Sequence, residues 1–329
     1  MEYIKKRRSK NTVKNIYCPE GLLIDSKENT EYLSSLDTLE RAMLEGKILE
    51  STVLLCDSSL TLHLDLGGIR GIIRKEECVW RRDGEALKDI AIITRVGKPV
   101  CFKVIGIEYS DGAPIVILSR RAAQLECTER YISTLTTGDI IDAVVTHMES
   151  FGAFVDIGCG ISSLLSVDSI SVSRISHPSE RLSVGESIHA VVKSIDPDTQ
   201  RVFLSMRELL GTWSENASGF EAGQTVSGIV RSVENYGIFV ELAPNLAGLA
   251  EIRESSEDLS LARIGARVAV YIKSIIPERM KIKLVIIDAY KGSSPPRTLK
   301  YYIDTDSVRH IDYWRYSPQG NVKVIESIF

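Results

Sequence analysis

Apolar and polar residues alternate with a period of two through most of this chain, in short runs separated by turn residues, and the alternation falls into three blocks. The first, residues 46–121, reads ILESTVLLCD, SLTLHLDLG, IRGIIR and PVCFKVIGIEYSDGAPIVILSRR. Residues 138–208 repeat the plan with GDIIDAVVTHMES, FGAFVDIG, ISSLLSV and, after a polar insertion, ESIHAVVKSIDPDTQRVFLSMRE. Residues 223–288 repeat it again with GQTVSGIVRSVEN, YGIFVELA, LAGLAEI and ARVAVYIKSIIPERMKIKLVII. Five short strands in about 70 residues is what a small Greek-key barrel of the OB type needs. The pattern therefore predicts a mainly β protein of three tandem five-stranded OB-fold barrels with short helical connectors and a β-rich C-terminal tail.

Between and around the barrels the period changes. In Glu28–Glu45, apolar Tyr32, Leu33, Leu36, Leu39, Met43 and Leu44 fall at near-helical spacing and Gly46 then stops the run. Residues 1–45 are thus read as a basic arm followed by a lead-in helix, the arm (Lys5, Lys6, Arg7, Arg8 and Lys10 within residues 1–14) being expected to be disordered. Residues 122–137 and 209–222 are helix-compatible connectors, and Trp213 in the second is expected to be a buried anchor. After Asp288 the run GSSPP predicts a hinge, and residues 289–329 form an aromatic-rich extension with strand candidates YYIDTD, RHIDYWRYS and VKVIESIF.

One stretch is written twice. ESFGAFVDIG from Glu149 returns as ENYGIFVELA from Glu234, with Phe151 and Tyr236, and Phe154 and Phe239, each 85 residues apart. Alternate residues of a strand share a face, so Phe154 and Asp156 are expected to point one way while Val155 and Ile157 point to the core. Paired rings on an outer sheet face beside basic residues are a platform on which single-stranded bases stack. Arg201, Arg231 and Lys281 are expected on or near that face, and His147 on the first strand of the middle barrel is a further candidate contact.

Composition narrows the class without settling it. With 44% hydrophobic and 26% charged residues among 329, the chain has the make-up of a soluble globular protein. No apolar run reaches the ~18 residues of a membrane span, and no apolar segment follows the basic start, so no membrane partner and no secretion by a signal peptide are expected. Six cysteines lie far apart with no C-x-x-C pair, which fits a reducing cytoplasm and disfavours a zinc site. The net charge of −4 runs against a nucleic-acid binder, but phosphate affinity depends on where Lys and Arg cluster rather than on the average.

The sequence G-x-x-V-x-G-x-V-x-x-V-x-x-[FY]-G-x-F-V-[DE], followed by a Gly-Leu segment, a V-G-x-x-V-x-V run and a closing D-x-x-x-[KR]-x-x-L-S, resembles the RNA-binding domain of small-subunit ribosomal protein S-one. Gly138–Arg207 and Gly223–Val285 carry the resemblance well; in the first barrel LTLHLDLG places Leu60 and His63 where the rings belong. The resemblance implies an RNA surface of Phe151, Phe154, Asp196 and Arg201 in the middle barrel and Tyr236, Phe239 and Lys281 in the third. The family's His is replaced by Ser166, Glu251 and Arg74 in the three copies. It further implies a non-catalytic protein that binds single-stranded RNA, mRNA above all, in translation at or near the small ribosomal subunit, with no cofactor or small-molecule substrate. The alternative is a protein-docking scaffold, on the ribosome or in an RNA-degradation complex, whose barrels hold protein.

Catalytic readings are weaker. Asp304, Asp306, His310 and Asp312 alternate with apolar residues as a strand would, which disfavours a metal site. The glycine runs at Gly67 and Gly158 lack the Lys-Ser/Thr or the following helix of a phosphate loop, and no nucleophile elbow is present.

Overall fold

The computed structural model describes residues 4–8, 16–81, 88–251, 263–290 and 299–329. After a short strand, β1 (Ile4–Arg8), come two helices, α1 (Lys27–Tyr32) and α2 (Leu36–Glu45), where the sequence predicts one. Ser35 divides them. It takes an extended backbone and accepts from the Thr38 N–H at 3.2 Å, while the Thr38 hydroxyl accepts from the Ser35 N–H at 3.1 Å, a reciprocal cap that starts a new helix. The second helix buries Leu39 and Ala42 in the core of the first barrel and ends at Gly46, as expected.

Three closed barrels follow. The first joins β2 (Leu49–Cys56), β3 (Leu62–Leu66), β4 (Ile69–Ile73), β5 (Pro99–Ser110) and β6 (Ala113–Ser119), with a short helix α3 (Ile90–Ile93) before β5. Helix α4 (Arg120–Arg130) leads to the second, made of β7 (Ile140–Glu149), β8 (Gly152–Asp156), β9 (Ser162–Ser166), β10 (Ser187–Ile195) and β11 (Val202–Ser205), with α5 (Val167–Ile170) after β9. Helix α6 (Trp213–Ala217) leads to the third, made of β12 (Thr225–Glu234), β13 (Gly237–Ala243), β14 (Leu246–Ala250), β15 (Arg267–Ile276) and β16 (Lys281–Tyr290). In each barrel the third and fifth strands run parallel and close it in the order 1-2-3-5-4, the OB arrangement.

The last segment folds back. Strands β17 (Val308–Arg315) and β18 (Glu326–Ile328) form a three-stranded sheet in which β1 pairs with β17. The expectation of a disordered arm is thereby corrected for residues 4–8: β17 offers an open edge whose backbone groups need partners, and β1 supplies them. The remainder of residues 1–14 lies outside the described residues. YYIDTD is not a strand either. It anchors the tail, with the Tyr302 N–H donating to Leu209 O at 2.9 Å and the Tyr301 hydroxyl accepting from the His189 N–H at 3.1 Å. Trp314, fully buried, shares one core with Trp213, whose N–H donates to Tyr316 O at 3.0 Å, so Trp213 is the anchor the sequence suggests. His310 meets Asp139 at 2.7 Å, joining the tail to the second barrel.

Two polar junctions tie barrel to barrel. At the first, residues 18–23 lie between barrels one and two. The Cys159 N–H donates to Cys18 O at 2.9 Å and the Glu20 N–H to Asp156 Oδ2 at 2.7 Å, while the Gly21 and Leu23 N–H groups donate to Glu50. The Glu20 carboxylate in turn accepts from Arg120 Nε and Nη2 at 2.6 and 3.0 Å. At the second, Glu241 takes Arg181 and Arg231 together, and Glu180 also pairs with Arg231.

The first junction makes stability depend on pH. Burial pushes the Glu50 carboxyl up to about 7, and burial followed by the Glu20 charge does the same to Asp156. The folded chain therefore holds protons that the unfolded chain, titrating near ~4, releases, so these groups favour the fold below ~4 and lose that contribution as pH rises to about 7. Comparison of urea midpoints should show wild type gaining on Glu50→Gln as pH falls from about 8 to about 5; a gap that is constant or moves the other way would refute this assignment.

Candidate nucleic-acid interface

Strand register builds the surface. In the second barrel His147 faces Phe154, Phe154 faces Leu164, and Leu164 faces Phe203, giving one row across β7, β8, β9 and β11. The third barrel lines up Ser232, Phe239, Leu249 and Lys283 in the same way. Neighbours of these residues in the chain, such as Val155, Leu165 and Leu204, or Val240, Ala250 and Leu284, are buried, so the rows lie on the outer faces. Above each row a turn ring completes the platform: Phe151 stands edge-on to Phe154 at 6.0 Å and 89°, Tyr236 edge-on to Phe239 at 6.2 Å and 89°. Phe151 and Tyr236 are 53% and 64% exposed, which leaves their faces open to a stacking base.

The glycine between the two rings has its own reason. A Cβ on Gly152 would stand 2.6 Å from Leu165 O, and one on Gly237 2.7 Å from Ala250 O, so the adjoining strand approaches too closely for any side chain. Close approach draws the strands together under the rings and fixes the platform alike in both copies.

The other predicted residues divide. His147 joins the row, its ring stacked on Phe154 at 6.2 Å and 20° and its Nε2 2.7 Å from Glu149 Oε1. Arg201 and Lys281 are exposed and lie two residues before Phe203 and Lys283, on the same face one row further along. Asp196 shapes the β10–β11 turn, accepting from the Asp198 and Thr199 N–H groups at 3.0 and 2.8 Å, bonds that lower its pKa. Arg231 is not on the platform, which corrects the expectation: its guanidinium is buried between Glu180 and Glu241 at the junction of barrels two and three. Asp156 is corrected too. It lies on the side expected, but residues 18–23 cover it, and it accepts from the Gly158 and Gly160 N–H groups as well as from Glu20.

Phe203, Leu164, Leu249 and Lys283 are members of the rows that the motif alone does not indicate. Alternation could have found Phe203, which stands between buried Val202 and Leu204. Glu251, at the family's His position, lies 3.6 Å from Lys283 in an exposed ion pair. Such a pair is worth little, and an incoming phosphate can displace it. In the first barrel the row reads Leu55, His63, Ile72 and Ile117. His63 is held there by Asp57 at 2.9 Å and Arg70 at 3.3 Å.

Closed barrels in the OB arrangement belong to a fold class whose strand faces and loops bind oligonucleotides or oligosaccharides. Residues 134–207 match the family described as the S1 RNA binding domain. The chain is 34% identical over 205 residues, 58% of its length, to small ribosomal subunit protein bS1 of Staphylococcus aureus, covering 52% of that protein. It is 41% identical over 240 residues to bS1 of Staphylococcus epidermidis, covering 71% of this chain and 58% of that one. Against a bS1 homolog of Bacillus cereus it is 28% identical over 303 residues, covering 88% and 76%. The chain thus carries one S1 RNA binding domain match and is similar to proteins of the bS1 kind, and it spans about half the length of the Staphylococcus aureus relative.

Proposed function

We propose that this protein is a non-catalytic, cytoplasmic RNA-binding protein that holds single-stranded mRNA at or near the small ribosomal subunit. The observation that carries the reading is the duplicated platform, with the same edge-on ring pair in barrels two and three. The S1 domain match supports RNA as the ligand, and the relatives' name supports the small subunit as the place. Stacking tolerates every base, so sequence discrimination is low. Two platforms on one chain bind the same strand at high effective concentration, which makes modest barrels sufficient together. A protein-docking role is favoured only for the outer row of the first barrel, which carries no Phe or Tyr, and in which Leu55 is 48% exposed beside Leu54 at 60%.

Titration of a labelled U12 strand with the whole chain, read by anisotropy at several salt concentrations, tests the reading. Affinity should fall linearly in the logarithm of salt with a slope of about −2 or steeper, as expected for three or more phosphates on single-stranded nucleic acid. Absent or salt-insensitive binding would leave the docking reading in its place.

A further inference from the structure

Between the first and second barrels lies an open cleft of about 670 Å³, within the size range of ligand sites. Its lining is uneven in charge. Arg81, Arg95, Lys98, Arg120 and Arg201 contribute cations among the described residues, against the carboxylates of Glu20 and Asp156. Arg120 is committed to Glu20, and Asp156 is held by backbone N–H groups. Arg95 is held only loosely: its Nη1 is 3.8 Å from Glu20, and its buried Nε has no hydrogen-bond partner among the described residues. Burial, and after it the neighbouring Arg120 guanidinium, disfavours the charged form of Arg95, so the position is one that an anion would relieve. Trp80 on the wall adds an aromatic surface.

The cleft meets the second platform at the exposed Ser162 and Arg201, beside Asp156, which residues 18–23 cover. Asp156 pairs with Ser162, and Arg201 follows beside them, two residues along β8, β9 and β11 from the Phe154, Leu164 and Phe203 row. That displacement is about 7 Å on one sheet face. All three of these residues line the cleft, whose opposite wall is the first barrel.

We infer that a single-stranded RNA lying on the second barrel's rings runs on into this cleft, where Arg95 and Lys98 of the first barrel bind its phosphates. The first barrel, without rings in its own row, is then half of a composite site rather than a third independent platform. This rests on the RNA reading above and extends it by assigning residues of the first barrel to the strand's path.

The test uses the whole chain carrying Tyr236→Ala/Phe239→Ala, so that only the second platform remains, with labelled U4 and U12 strands. Adding Arg95→Gln/Lys98→Gln should weaken U12 at least tenfold and reduce its salt slope by about 1.4, the share of two phosphates, leaving U4 unchanged. Lys98→Glu alone, an exposed change that spares the junction, should weaken U12 in the same direction. Unchanged U12 affinity and slope in both variants, with U4 and U12 still binding, overturns the cleft while sparing the platform. Failure of either strand to bind before any cleft change is made overturns the platform reading, and the cleft with it.

Discussion

Glu241→Ala is expected to lower the stability of the unit formed by the third barrel and the tail by about 3–5 kcal/mol, the usual cost of removing one partner from a buried ion pair. Glu241 is fully buried, and it meets two guanidiniums, those of Arg181 and Arg231, that are themselves almost wholly buried. Among the described residues, truncation leaves Arg231 paired with Glu180 and takes from Arg181 its carboxylate partner. Trp213 and Trp314 lie in the core of this unit, so their emission during urea unfolding reports the loss. Replacing Arg181, Arg231 and Glu241 together with Met should recover much of it, because an apolar set of similar volume carries no desolvation cost. A Glu241→Ala midpoint within experimental error of wild type would mean that the cluster is solvated in solution.

Replacing Phe151, Phe154, Tyr236 and Phe239 with Ala should reduce affinity for U12 at least a hundredfold, since base stacking on a ring is worth about 1–3 kcal/mol. Phe151 and Tyr236 are exposed and cost the fold little; Phe154 and Phe239 are half-buried, so Phe154→Leu and Phe239→Leu serve as variants that keep packing without a π face. Circular dichroism separates loss of fold from loss of binding. Retained affinity in a folded four-ring variant would make the rings structural and end the platform reading.

The sequence carried the barrels because their strands alternate and their turns recur, and it carried the ring pairs because they are written twice. Alternation tells which side of a sheet a residue takes, but not what another part of the chain lays over that side. Asp156 and Glu241 show the difference. Both follow the second ring of the repeated stretch at the same spacing, both take the outward side, and both are buried, one under residues 18–23 and the other under Arg181. Arg231 leaves the platform for the same reason, since the residue that covers it, Glu180, belongs to the polar insertion of the preceding barrel. The lead-in helix broke at a capping serine whose effect is local and could have been read, because Ser35 and Thr38 stand at cap spacing inside the apolar run. The pairing of β1 with β17 could not, as nothing in a run of basic residues identifies a partner at the far end of the chain.

That pairing sets an order of events during synthesis. Each barrel is made of nearby strands and can close as soon as its own residues have emerged. The strand made first cannot, because Ile4 lies opposite Trp314. The entropy of closing so large a loop grows only with the logarithm of its length, so what separates the two strands is chiefly time. Until β17 arrives, the seat of Trp314 in the core it shares with Trp213 stays open. A chain interrupted before Val308 would therefore hold formed barrels yet display a vacant apolar seat and a strand without a partner, the kind of surface by which chaperones and proteases recognise an unfinished protein.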